Sequence, residues 1–194
     1  MSDLESALTA LQQGRLVVLP TDTVYGVACL PQIPDSVQAV FDAKGRPREM
    51  ALPVLGTSVE DLALVAKFDD RAQALAQKFW PGGITLILPR APGFDHDLGG
   101  DAKDSIAVRI PNSVETLEVL RRSGPLAVTS ANPSGAPAAV TVDQAREALG
   151  DSVAVYVDGG RTSGRESTIV SLIGPTRIVR HGAVPVDEIL EVLS

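Results

Sequence analysis

Apolar residues recur along this chain at two spacings, and the switches between them predict alternating helices and strands. Residues 2–13 put Leu4, Leu8 and Leu11 on one helical face, open with the capping-box pair Ser2 and Glu5, and run into Gly14. Arg15–Pro20 is a short apolar run stopped by proline, the pattern of a buried strand. Helical spacing returns over Pro34–Lys44, with Val37, Val40 and Phe41 inward, and Leu52–Leu55 reads as a strand. Ser58 and Asp61 have N-cap spacing for a short helix, and a second helix runs through Arg71–Phe79 until F-W-P-G-G stops it. Ile84–Pro89 and Ser105–Pro111 are strands, Ser113–Ser123 is an amphipathic helix closed by Gly124, and Leu126–Ala131 is a further strand. Thr141 and Gln144 box the start of a helix that Gly150 ends, and Val153–Val157 is a strand. Ser167–Ile173 and Thr176–Arg180 alternate as a hairpin about Gly174-Pro175, and Pro185–Leu193 is a last helix. The expected fold is α/β: one domain over 1–194, an open mixed sheet flanked by helices, with the last hairpin as its antiparallel part.

Composition narrows this picture. Hydrophobic residues make up 44% of the 194 but aromatics only 4%, which fits an aliphatic interior between sheet and helices. No apolar run approaches the roughly 18 residues of a membrane span. The opening M-S-D-L-E-S lacks the layout of a signal peptide, so a cytoplasmic location is expected. Cys29 is the single cysteine and lies in G-V-A-C-L, the setting of a small buried residue rather than a nucleophile. The net charge of −7 disfavours tight non-specific nucleic-acid binding, whereas local basic clusters on an acidic body fit a small anion held in a cleft.

The candidate chemistry sits in the loops. Lys44, Arg46 and Arg48 surround the break at Gly45 and Pro47, giving a basic rim suited to a polyphosphate, or else a solvated loop. T-D-T-V-Y-G, 21–26, directly follows a buried strand, where open α/β sheets bind ligands; a turn capped by Asp22 and Thr23 would explain the same residues. Thr129, Ser130, Asn132 and Ser134 gather donors and acceptors at another strand end. Arg109 stands in an apolar strand and must reach solvent at an edge or meet an anion, because an unpaired buried charge costs several kcal/mol. Residues 91–104 form a long glycine-rich acidic loop, either a functional cover or a mobile segment. His96 and its flanking aspartates could hold a metal, but neighbours on such a loop are more simply solvated. Trp80 is read as a core anchor, with base stacking as the alternative.

Taken in order, P-T-D-T-V-Y-G, K-G-R-P, F-W-P-G-G-I-T-L-I-L, V-R-I-P, T-S-A-N-P-S-G, D-G-G and E-S-T-I-V resemble the YrdC/TsaC family, over residues 15 to 182. The resemblance implies the twisted open fold of that family, like that of double-stranded-RNA-binding proteins, with a concave positive face. It implies synthesis of L-threonylcarbamoyladenylate from ATP, L-threonine and bicarbonate or CO2, with Mg2+ on the ATP phosphates, for modification of the adenosine beside the tRNA anticodon. A transient encounter with tRNA or with a tRNA-modifying transferase follows from the same resemblance. Carried onto matching positions, Lys44 and Arg46 would hold phosphates as the catalytic cations. Ser105, Ser130, Asn132 and Arg180 would contact ATP, and Thr23, Tyr25, Arg109 and Ser167 would form the threonine pocket. No protein-held metal is implied. The chain is expected to be a short-form member. It departs from the family pattern at Met50 and Ala138, where ATP-contacting asparagine and serine are common, at Leu55 for a threonine-contacting histidine, and at R-H-G for R-P-G.

Other functions remain to be separated. One is an RNA-binding module of the same fold acting in translation or ribosome maturation, and another is a paralogue using a different carbamoyl-adenylate substrate. Carbamoyl transfer of the hydrogenase-maturation kind is a further reading, disfavoured because its zinc-finger and acylphosphatase modules have no counterpart in the sequence.

Overall fold

The computed structural model describes residues 3–194, so the Ser2 half of the expected capping box lies outside the described residues. In chain order the elements are α1 (Asp3–Gln12), β1 (Val17–Leu19), β2 (Gly26–Cys29), α2 (Pro34–Lys44), β3 (Val54–Leu55), α3 (Val59–Ala63), α4 (Asp70–Phe79), β4 (Ile84–Pro89) and β5 (Ser105–Arg109). They continue with α5 (Val114–Ser123), β6 (Leu126–Ser130), α6 (Val142–Leu149), β7 (Val155–Tyr156), β8 (Thr168–Ser171), β9 (Arg177–Arg180) and α7 (Val186–Leu193). Helix starts are made by side chains: Ser58, Ser113 and Thr141, and Asp69 just ahead of the expected Arg71, each accept a hydrogen bond from the third residue on. Such caps contribute about 1 kcal/mol each. At the end of α2, Gly45 takes a left-handed conformation with φ of +56°, which turns the chain into K-G-R.

Among the described residues the nine strands join one sheet in the order β7-β1-β2-β6-β3-β5-β4-β8-β9. β1–β7, β3–β5 and β4–β8 are parallel and the other neighbours antiparallel. The sheet is mixed as expected, but antiparallel pairing runs through its centre and is not confined to the last hairpin. The reason is β2. Its residues G-V-A-C are small and buried on both faces, so they show no alternation, yet they fold straight back on β1 and turn T-D-T-V-Y into a hairpin loop.

The two faces of the sheet are covered differently. On one, α2, α3, α4, α6 and α7 pack Val37, Phe41, Leu62, Leu75, Ala145 and Ile189 against Val18, Val27, Val54, Leu86 and Val108. On the other, α1 and α5 roof only one end, packing Leu8, Leu11, Val119 and Leu120 against Val17, Leu19, Ala28 and Leu126. Beyond that roof the same face carries Leu55, Ile87, Ala107 and Ile169 interleaved with Thr85, Ser105, Arg109 and Ser167, and these form the floor of a cavity. Among the described residues no helix is long and apolar enough to cross a membrane.

Candidate active site

The cavity has a volume of about 710 Å³, within the range that takes a nucleotide-sized ligand. Its wall includes Thr23, Tyr25, Lys44, Arg46, Met50, Ser105, Arg109, Ser130, Asn132, Ser167 and Arg180, so eleven widely separated sequence candidates converge on one hollow. Ala138 is the candidate that does not reach it: it stands on the loop before α6, outside the wall.

The expected basic rim is revised, because its three cations part company. Lys44 is only 3% exposed. Its ammonium donates to the carbonyls of Ser130 and Asn132, while its own carbonyl accepts from Ser134 N at 2.7 Å. The end of α2 is thus stitched to the T-S-A-N-P-S-G loop. Burial, helped by the charge of Arg46 and opposed by Glu166, pulls the ammonium down to about 8. Arg46 lies in the wall and is steadied by Met50 O at 2.9 Å and Ala51 O at 3.2 Å, and burial lowers its pKa. Arg48 instead turns outside, pairing with Asp97 at 2.6 Å and lying 4.5 Å from the Phe41 ring centre.

Arg109 is on an interior strand, which removes the solvent-edge alternative, and the anion it meets belongs to this chain. Nη2 donates to Asp22 Oδ1 at 2.6 Å, Nη1 to Thr23 Oγ1 at 2.9 Å and Nε to Gly82 O at 2.9 Å. Burial lowers its pKa and the Asp22 carboxylate works against that. The turn-cap reading of Asp22 and Thr23 gives way to this long-range pairing, and Thr21 does the local work by donating to Val24 O at 2.6 Å.

Tyr25 borders the cavity but is fully buried in the core, and its hydroxyl donates to Gly160 O at 2.7 Å and accepts from Gly159 N at 3.1 Å. Burial, its largest influence, raises the phenol. A Cβ on Gly159 would lie 2.6 Å from Pro20, which explains the glycine of D-G-G. On the far wall Ser167 Oγ meets Thr85 Oγ1 at 2.8 Å and accepts from Arg180 Nη2 at 3.2 Å. Arg180 is also paired with Glu166 at 3.1 Å. Asn132 donates to Pro133 O and Ala136 O, and its buried Oδ1 has no partner. An acceptor left so is unfavourable by about 1–3 kcal/mol until a donor reaches it.

Loop 91–104 supplies Gly100, Asp101 and Ala102 to the mouth, which favours the cover reading. It is tied down by Leu52 N to Leu98 O at 2.8 Å and Gly100 N to Arg48 O at 2.7 Å. His96 stacks edge-on against Phe94, and Asp97 is taken up by Arg48 and Lys103. Among the described residues no cluster of three His, Cys, Asp or Glu is arranged for a metal. Trp80 packs against the core, edge-on to Phe68 and donating to Ile84 O, away from the cavity wall. Cys29 is buried and its thiol is pushed up to about 12, so it is unreactive.

Sequence reasoning missed Asp22 as an ion-pair partner, and Glu166 and Thr85 as wall residues. Two of these left a trace: Asp22 is a carboxylate beside a buried strand in a chain with an unexplained strand arginine, and Thr85 is the polar residue inside I-T-L-I-L. Glu166 left none.

A half-roofed sheet with cations and hydroxyl-bearing strand ends around one hollow defines an α/β protein with a cavity suited to a small anionic ligand beside its strands. A family model described as Telomere recombination, covering Sua5, YciO and YrdC, matches residues 9–182, and the chain belongs to this Sua5/YciO/YrdC family. It is 44% identical over 192 residues to a Mycobacterium tuberculosis protein provisionally named a threonylcarbamoyl-AMP synthase, covering 97% of this chain and 88% of that one. It is 35% identical to the threonylcarbamoyl-AMP synthase of Pyrococcus abyssi, covering 95% of this chain but 55% of the archaeal protein. The crystal structure of P. abyssi Sua5 complexed with L-threonine superposes with a TM-score of 0.90 at 33% identity, over 98% of this chain and 57% of that one.

Proposed function

We propose that the chain is an L-threonylcarbamoyladenylate synthase, joining ATP, L-threonine and bicarbonate or CO2 into threonylcarbamoyl-AMP with release of pyrophosphate. The observation that carries this reading is the meeting, in one cavity, of the buried Lys44 and the half-buried Arg46 with the Arg109 guanidinium and the Thr23 and Ser167 hydroxyls. Lys44 and Arg46 are suited to the triphosphate. The unpaired Oδ1 of Asn132 is suited to a donor such as the adenine amino group or a ribose hydroxyl. Arg109, Thr23 and Ser167, with Tyr25 bordering them, are suited to threonine, its carboxylate against the guanidinium and its hydroxyl against the side-chain oxygens. The names of the relatives support the same reaction. Mg2+ belongs to the ATP substrate: Glu49, Asp101 and Glu166 stand in the wall without forming a cage, so the phosphates would carry the ion. The transfer of the product to a tRNA adenosine is the proposed destination.

The chemistry asks for alignment more than for acids and bases. The free amine of threonine adds to CO2 and loses a proton to solvent, and the carbamate oxygen attacks the α-phosphorus as its bond to the α–β bridging oxygen breaks and pyrophosphate leaves. Lys44 and Arg46 neutralise charge on the phosphates, and the facing subsites hold the two reactants in line. Lys44 Nζ keeps two of its protons on the loop carbonyls, which leaves one N–H for a phosphate oxygen.

With ATP, threonine and bicarbonate together, purified protein should release pyrophosphate, and leaving out any one should stop it. Release that persists without threonine would reject the assignment. The lowered Lys44 also gives ATP binding a pH dependence. A phosphate favours the charged ammonium, which the free protein loses as pH rises through about 8. Affinity should therefore change little from pH 7 to 8 and weaken by up to about tenfold over the next unit. Calorimetry in buffers of different ionisation enthalpy should register proton uptake on ATP binding at the higher pH. Equal affinity across the range, without uptake, would take Lys44 out of phosphate binding.

A further inference from the structure

Arg109 and Asp22 differ in where they face. Arg109 is in the cavity wall, 7% exposed, whereas Asp22 stands outside the wall and approaches the guanidinium from behind. Asp22 Oδ1 is fixed in turn, since it also accepts from Asn112 N at 2.9 Å. The hairpin loop achieves this by alternation: Thr21 and Thr23 turn to the cavity, linked Oγ to Oγ at 3.0 Å, and the residue between them turns away. An arginine buried without a counter-charge would attract any small anion. Here the charge is already compensated by a carboxylate 2.6 Å away, with 20% of its side chain exposed.

We propose that Asp22 is a positioning and specificity-determining residue of the amino-acid subsite: it holds Arg109 in place and cancels its net charge, so that the subsite accepts a zwitterion and discriminates against carboxylates that lack an ammonium. This rests on the reading of the Arg109 wall as the threonine pocket. A carboxylate entering beside Arg109 is attracted by the guanidinium and repelled by Asp22. A zwitterion recovers that loss because its ammonium is attracted by the same Asp22 charge. An acid without the amine does not.

The test compares L-threonine with 3-hydroxybutyrate, which keeps the carboxylate and hydroxyl and lacks the amine, by calorimetry on the wild type and Asp22→Asn. Asparagine retains an oxygen for Arg109 and Asn112 while removing the charge. The ratio of the 3-hydroxybutyrate Kd to the threonine Kd should fall about tenfold in Asp22→Asn, the size expected for one unit charge a few ångströms away in a partly screened site. A purely structural role would weaken both ligands together, and an unchanged ratio overturns the proposal. If Asp22→Asn fails to fold, the wild type decides alone. Its threonine affinity should change by less than about twofold between roughly 0.05 and 0.5 M chloride, and a loss of more than about fivefold would reveal an uncompensated cation. Wild-type protein that binds no threonine removes the pocket assignment itself, and this inference with it. Binding with an unmoved ratio removes only the role of Asp22.

Discussion

Replacing Arg109 by alanine should destabilise the protein by about 3–5 kcal/mol and abolish threonine binding. The stability loss does not come from the packing of one side chain. It comes from leaving the Asp22 carboxylate without its partner at 2.6 Å, and Thr23 Oγ1 and Gly82 O without their donors, in a largely closed part of the fold. For a chain of this length the midpoint of thermal unfolding should drop by roughly 10 °C. The double variant Asp22→Ala/Arg109→Ala should recover a large part of the lost stability, because it removes the stranded charge along with the guanidinium. It should recover none of the threonine affinity. A double variant as unstable as Arg109→Ala alone would show that the pair is not the source of the loss.

Lys44→Met should lower kcat/KM for ATP by about 10²–10³ while leaving threonine affinity near its wild-type value. Methionine keeps an apolar stem in the buried channel at the end of α2 and deletes the ammonium, so the fold is expected to survive. What is lost is the cation on the transferring phosphates and the donor that ties down the Ser130 and Asn132 carbonyls. Pyrophosphate release within about threefold of wild type would mean that Arg46 alone handles the phosphates. A matching fall in threonine affinity would mean that Lys44 is a scaffold for both subsites.

Much of this architecture was readable from the chain because local signals agree with the fold. Pro34 and Gly45 bracket α2, and the apolar run of I-T-L-I-L-P is β4 to the residue. Hydroxyls at strand ends were a sound guide to the cavity, since a strand end is where side chains leave the layer. What stayed hidden depends on partners distant in sequence. β2 carries no pattern of its own and becomes a strand only by filling the gap between β1 and β6. Lys44 looked like a rim residue because lysine usually is one, and only the return of the chain at Asn132 encloses it. The Arg109–Asp22 pair spans 87 positions, and no local rule connects them.

The half-length roof of α1 and α5 has one more consequence. Where it ends, a single layer of strands serves two masters, with Val108 facing the oily interior while its neighbours Ala107 and Arg109 face the cavity. Altering the floor therefore disturbs the scaffold, whereas the rim segments around Met50 and Asp101 hang free of that layer. Changes in substrate preference should accumulate at the rim, where they can be tried without loosening the molecule.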